Sequence, residues 1–473
     1  MASAAAALSL ALILGSAVYA WRQAREAERL RQVAVARQLD AERAAREAER
    51  ANLRSQEALA EARRQTELAG SRRDGLLRLS NSFAGEIYND AATLPGATPV
   101  RAKLLNQTLE HLETLRNSAP GEAAPLLVAI DALGSLADTY GGANSNLGER
   151  GKASSLLERR AALIEELARL QPGNAGTDRL RLNQRVREAA LLYSSDRPLF
   201  ERRILALEPA VERMLAAGPP PQSALRTGVG FFFYRAFAAT RPGDKLRYYD
   251  RVAALAAEDE ERFGGGEFCW RSMALAHQYA AGVLGPTSAE GYQRSLLAAA
   301  YDENHLALNP MNAQARMDLS FDRTGIAAYH AGRGEHRHAR DIDAGVYRQR
   351  ASLLEIDPGN QWYRGSLWYP LVYGGMANAE LGDWPALADN LQMLDRLARE
   401  SAPPAYAAAM IHLLRGLSLK SQEPQAACAS IRAAGAVFQA APEPQQLQFA
   451  PRSLLDRELA RCRPAEENGG SAQ

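Results

Sequence analysis

The chain reads as all-α: an apolar N-terminal helix, a long charged helix, and then a solenoid of helix hairpins. Three observations carry that reading. Of the 473 residues, 47% are hydrophobic but only 7% aromatic, and the apolar share is mostly Ala and Leu, which favours helix over sheet. Stretches alternating Val, Ile and Thr as strands do are scarce. Finally, two segments share punctuation while their interiors differ, Gly148–Asn174 (GERGKASSLLERRAALIEELARLQPGN) and Gly334–Asn360 (GEHRHARDIDAGVYRQRASLLEIDPGN).

The first element is Ala2–Trp21, which carries no charged residue. A helix of about 20 residues rises far enough to cross a bilayer core. Tyr19 and Trp21 close it with rings suited to a membrane interface. Val18-Tyr19-Ala20 could be a signal-peptide cleavage site, yet no Lys or Arg precedes the apolar run as such a signal requires. Residues 1–21 are therefore expected to be an uncleaved single-pass anchor. Arg22, Arg25, Arg29 and Arg31 follow it, and taken alone they would hold the downstream chain in the cytoplasm.

Residues 22–73 are rich in Arg, Glu, Ala and Gln and lack Pro, the composition of an exposed helical stalk. Glu42 and Arg46 have the favourable i, i+4 order. Ala24, Ala27, Leu30 and Ala34 step by three or four, a weak seam through which a second copy could pair as a coiled-coil homodimer.

Residues 74–463 are expected to hold roughly eight helix hairpins. In each shared segment a Gly (Gly148, Gly334) frees the chain to turn between helices. A small residue five positions on (Ala153, Ala339) lets the second helix approach the first. A Pro then ends that helix, since the residue before Pro is pushed out of helical geometry. The apolar stripe is expected at Leu156, Leu163, Leu167 and Leu170 in one copy and at Ile342, Val346, Leu353 and Ile356 in the other. Weaker copies are marked by Leu306–Asn312, by Gly375 and Gly382, and by Gly243 at a further turn. Residues 464–473 are polar and expected to be disordered.

This punctuation resembles the tetratricopeptide repeat, with the second helix about two turns longer than usual. That resemblance implies an array binding a protein or peptide. A second resemblance covers residues 1 to about 180. LSNSFAGEIYNDAATLPGATPVRAKLLNQTLEHLETLRNSAP (Leu79–Pro120) and LADTYGGANSNLGERGKASSLLERRAALIEEL (Leu136–Leu167) are similar to the segment after the membrane span in bacterial eukaryotic-like Ser/Thr protein kinases. The telling features are Leu94-Pro95-Gly96-Ala97-Thr98-Pro99 and Asn146-Leu147-Gly148-Glu149. That family arrangement implies a sensor half in the bacterial cytoplasmic membrane, with the repeats on the extracytoplasmic side. It conflicts with the orientation the basic flank suggests.

The kinase chemistry itself is missing. His338–Tyr347 superficially resembles a catalytic loop, but Val346 stands where the Asn is required. Gly228–Phe233 lacks the third Gly of a phosphate-covering loop. The chain thus reads as the non-catalytic half of such a system, encoded apart or with its gene start placed too late. An envelope assembly factor and a metal-dependent enzyme are the competing readings.

The enzyme reading would rest on His330, His336 and His338 with Glu335, Asp341 and Asp343. His336 and His338 are two residues apart and cannot share a helical face, so a polar turn is the plainer account. No catalytic residue, metal ligand or cofactor is assigned. Phe233 and Phe237 read as packing between repeats. Trp362, Tyr363, Trp368, Tyr369 and Tyr373 are candidate aromatics of a ligand groove. Cys428 and Cys462 fall at the same level of a predicted antiparallel pair, where they could bridge in an oxidising compartment or remain two buried thiols. A net charge of +1 gives no reason to expect nucleic acid.

Overall fold

The computed structural model describes residues 2–88, 91, 94, 96–118, 121–141, 147–193, 195–264, 266–441 and 452–462. The polar stretch 464–473 lies outside them. Two compact units divide the chain, residues 1–76 and 77–473.

The first unit is built from one continuous helix, α1 (Ala2–Ser82). Its charged faces are exposed, with Arg46 and Glu42 3.6 Å apart and both solvated, a pair of little energetic weight. The membrane expectation does not survive. Among the described residues no helix is long and apolar enough to cross a bilayer. The side chains of residues 2–9 and 11 lie outside the description. What is described, Leu10 and Leu12 to Trp21 before the first Arg, is roughly half the ~20 apolar residues a span needs. The single-pass localisation is withdrawn on that ground.

The second unit is a row of helices. After the π-turn Phe83–Ile87 come α2 (Thr98–Ser118), α3 (Ala123–Gly141), α4 (Arg150–Leu170), α5 (Ala175–Leu191), α6 (Arg197–Ala216) and α7 (Gln222–Ala238). Then follow α8 (Pro242–Phe263), α9 (Glu267–Leu284), α10 (Ala289–Leu308), α11 (Ala313–Gly332), α12 (His336–Ile356) and α13 (Gln361–Ser366). The row ends with α14 (Trp368–Leu381), α15 (Trp384–Glu400), α16 (Ala405–Leu419), α17 (Pro424–Ala440) and α18 (Arg452–Arg461). Helices adjacent in the chain pack on one another, except that α12 packs on α14 past the short α13, and the first helices of successive hairpins also touch, α5 on α7, α9 on α11 and α14 on α16. That second set of contacts makes an inner layer of first helices and an outer layer of second helices, the arrangement of a helical-repeat solenoid.

Both conspicuous segments are hairpin second halves in this array. Gly148 turns the chain between α3 and α4, Gly334 between α11 and α12, each with positive φ (75° and 79°). Their closing Asn has a function that the sequence reading missed. Asn174 Oδ1 accepts from the N–H groups of Gly176 (2.7 Å) and Thr177 (3.4 Å) and so caps α5. Asn360 does the same for Trp362 (3.1 Å) and Tyr363 (3.2 Å). Asn312, in the weaker copy, caps α11 through Ala315 N–H at 3.0 Å. The Pro ends one helix, and the Asn two residues later starts the next. One expected turn is corrected, since Gly243 lies in the first turn of α8, while Gly382 does turn the chain after α14 with φ 68°. Pro242 starts α8 at its first position, where the missing N–H costs nothing.

The array comes back on itself within this unit. Thr98, at the start of α2, donates its hydroxyl to Asp357 Oδ2 at 2.9 Å, and both side chains are buried. Gly96 has φ +76°, and a Cβ there would sit 2.8 Å from the Ile356 carbonyl oxygen. The turn after α12 is therefore sealed by the loop before α2. Gly96→Ala combines a left-handed backbone penalty with that clash, and should lower unfolding free energy by about 1–2 kcal/mol in urea titrations. Gly151→Ala, inside α4 where a Cβ meets nothing, should instead be neutral or stabilising by up to about 1 kcal/mol. Equal effects from the two would remove the closure argument.

Candidate functional site

The two repeat copies share a buried register, and it is offset from the stripe expected from apolar residues alone. Residues Ala153, Leu157, Arg160, Ile164 and Leu167 are buried on α4, and Ala339, Asp343, Val346, Arg350 and Leu353 on α12. Of the expected stripe, Leu170 and Ile356 are exposed, at 40% and 54%, in both copies. The reading slid because charged residues occupy core positions. Arg160 stands where α12 has Val346, Asp343 where α4 has Leu157, and Arg350 where α4 has Ile164.

Each buried guanidinium joins three consecutive segments. Arg160 donates to the Ile130 carbonyl on α3 (2.9 Å) and to Gln184 (2.6 Å) and Asn183 (3.2 Å) on α5. Arg350 donates to Ser320 (2.8 Å) and Thr324 (3.3 Å) on α11 and to the Ser366 carbonyl (2.7 Å) on α13. It also sits over the Phe321 ring, 4.1 Å from its centre. Burial pushes the Arg160 guanidinium down to about 10 and that of Arg350 to about 9. Both groups stay protonated at neutral pH, and truncating either would leave buried acceptors unpaired.

Asp343 is the less settled member. Burial pushes its carboxyl well above the usual range, against a weaker opposing pull from Arg350. Its Oδ1 is buried and meets no hydrogen-bond partner. The residue lines a cavity of about 380 Å³ between the outer helices α12 and α15, floored by α14. Asn378 lines the same cavity, and its Oδ1 is likewise buried and unpartnered. Its Nδ2 donates to Asn390 Oδ1 at 2.7 Å, which orients both amides, and Asn390 Nδ2 reaches the Leu371 carbonyl at 3.4 Å. Tyr347, Leu371 and Met393 add apolar wall. Such a pocket offers hydrogen bonds to a neutral polar group, as the main-chain amide of a peptide is.

The expected aromatics lie nearby but do not form one surface. Tyr363 and Trp368 are buried core residues. Trp362 packs on Phe321, ring centres 5.8 Å apart. Tyr369 is 6.1 Å from Tyr373 and 5.0 Å from Tyr406, half-buried against the C-terminal core. Phe233 and Phe237 pack between hairpins, each against Tyr249 and Tyr279. The histidine turn is also packed: His330 Nδ1 meets Glu335 Oε2 at 2.5 Å and its ring meets His338 edge-on at 4.3 Å. Among the described residues no group of three or more His, Cys, Asp or Glu could hold a metal ion. His305 is buried with Nε2 3.0 Å from Glu267. Cys428 on α17 and Cys462 after α18 have Cα atoms 5.2 Å apart, and Cys269 is buried.

Comparison with known proteins adds little. No protein-family description matches the chain, and no curated protein matches its sequence. Among solved structures it is similar to the apo form of RapI (TM-score 0.46, 11% identity, covering 83% of this chain and 99% of that one). It is also similar to yeast Tom70 (0.30, 8%, 83% and 96%) and to the APC/C hetero-tetramer Cut9–Hcn1 (0.20, 13%, 84% and 98%). All three are tetratricopeptide-repeat proteins. At these scores the likenesses locate no function, and the solenoid rests on the packing described above.

One further polar cluster is structural. Asp302 on α10 and Asp322 on α11 are buried beside Asp318, which holds Arg271 at 2.6 Å. Gln278 donates to Asp322 Oδ1 at 2.9 Å. Asp302 Oδ1 and Asp322 Oδ2 meet no donor from another side chain, so a proton on one carboxyl must serve the other. Burial pushes Asp302 up to about 8 and Asp322 well above the usual range. The folded chain then binds more protons than the unfolded chain. The stabilising effect is fully present below about pH 4 and is lost progressively as pH rises through about 8. Urea unfolding from pH 5 to 9 should show that decline, and Asp302→Asn should flatten it; an unchanged slope in the variant would refute the shared proton.

Proposed function

We propose that the chain is a helical-repeat interaction module whose Asp343–Asn378–Asn390 pocket seats an extended segment of a partner protein. One observation carries this reading. Asp343 on α12 and Asn378 on α14 line one cavity and each carries a buried oxygen without a hydrogen-bond partner, where the core position of the earlier copy matching Asp343 is Leu157. An unsatisfied buried polar group costs about 1–3 kcal/mol, which a main-chain amide in the pocket would offset. No catalytic role is assigned to these residues.

The test is selection of random heptapeptides displayed on phage against the immobilised full chain, followed by binding to Asp343→Leu and Asn378→Leu variants. The expected outcome is enriched peptides that lose at least about tenfold in affinity for either variant, the loss of one or two buried hydrogen bonds. Enrichment of nothing, or binding untouched by both substitutions, would sink the proposal. The resemblance of Leu79–Pro120 and Leu136–Leu167 to kinase sensor segments supports a partner in Ser/Thr kinase signalling. Selected peptides matching no sequence of such a kinase or its substrates would count against that narrower reading.

We also propose that Cys428 and Cys462 are bridged, which ties α18 to α17 and closes a loop with a sequence separation of 34 residues. A loop of that size is worth about 3–4 kcal/mol in chain entropy. Titration of thiols in the denatured, unreduced chain should find one, Cys269; three would refute the bridge.

A further inference from the structure

A cavity on the outer side of the second unit is a separate site. It has a volume of about 970 Å³ and lies between the outer helices α4 and α6, with α5 as its floor and Pro219, Pro220 and Pro221 as one wall. Pro209, inside α6 and next to the lining residue Ala210, removes a rung of the helix ladder beside the cavity.

Its charge is lopsided. Glu165 and Asp178 are the acids lining it, and both are taken by Arg181, which grips Glu165 at 2.8 and 2.6 Å and Asp178 at 3.2 Å. Arg179, Arg185 and Arg213 also line it. Among the described residues none of these three takes part in an ion pair, while Arg181 beside them has two. Arg179 Nε is buried without a hydrogen-bond partner. Arg185 and Arg213 come from different helices and are exposed at the rim. The bottom is apolar: Leu182, Ala210 and Met214.

We propose that this cavity binds an acidic peptide segment, an apolar side chain seated on Leu182 and Met214 and flanking carboxylates held by Arg179, Arg185 and Arg213. The volume is in the range of a site for several residues and far exceeds a single small anion. Guanidinium forks match carboxylates two bonds at a time, so three uncommitted forks around an apolar floor favour Asp/Glu side chains on either side of a hydrophobic one. The site is distinct from the Asp343 pocket and shares no residue with it.

Fluorescence anisotropy of the full chain with labelled Glu-Glu-Leu-Glu-Glu, Gln-Gln-Leu-Gln-Gln and Lys-Lys-Leu-Lys-Lys probes tests this. The acidic probe should bind at least about tenfold tighter than the neutral one, weaken with salt, and lose at least about tenfold in Arg185→Glu/Arg213→Glu. Arg185→Lys/Arg213→Lys should restore part of the affinity, and Asp343→Leu should leave it unchanged, which keeps the two sites separable. Circular dichroism confirms that each variant is folded. Equal binding of acidic and neutral probes would overturn the proposal, as would indifference to the Arg185/Arg213 charge reversal. Loss of binding in Asp343→Leu would do so too. A single-stranded oligonucleotide of equal charge that binds more tightly through the same arginines would overturn the assignment to a peptide.

Discussion

Each outer helix of this array must be buried against two inner helices at once, and that double burial governs the rest of the structure. On α4 and α12 it is enforced by a guanidinium inside the core. Arg160 and Arg350 each reach the hairpin partner before them and the segment after them, so one side chain fixes both the hairpin and its junction with the next. An apolar residue would pack there but would not specify register. An arginine that must satisfy a carbonyl together with two side-chain amides, as Arg160 does, or two hydroxyls, as Arg350 does, fits one arrangement. These groups are neutral, so the charge is stabilised by dipoles and, for Arg350, by the Phe321 face.

The inner helices touch across hairpins, and the outer helices diverge. The gaps this leaves lie on the outer side: a small one between α2 and α4, the large arginine-lined one between α4 and α6, and the Asp343 pocket between α12 and α15. The pocket chemistry follows from which side chains fill each gap. Between α2 and α4 the residues Leu109, Leu112, Leu133 and Leu163 nearly close it. Between α4 and α6 arginines and a proline wall leave it open. The same curvature brings the turn after α12 to the loop before α2, where Thr98 and Asp357 close the circuit.

Much of the fold was legible because its punctuation is local. A Gly with positive φ, a Pro that stops a helix and an Asn that caps the next act over three or four residues, and any such signal survives when the helix interiors diverge. The candidate sites were not legible. Of the expected apolar stripes, Leu156, Leu167, Val346 and Leu353 are buried, whereas Leu163, Leu170, Ile342 and Ile356 are not, because Arg160, Asp343 and Arg350 hold core positions that apolar spacing cannot mark. Of the aromatics near residue 362, half are expected to pack inward and the rest to line a groove, and spacing alone does not say which; Trp368 and Tyr363 are the ones in the core. The N-terminal apolar run was taken for a span, and the described residues do not reach the required length.

The sequence by itself determined the helices, their turns and their order, since backbone conformation is set by neighbours a few residues away. Only the tertiary structure decided which charged side chains are buried and which cavities stay open. Burial is a property of surfaces that meet across hairpins. The chain's own spacing cannot show that Arg350 lies in the core while Arg185 and Arg213 stand at the rim of a gap.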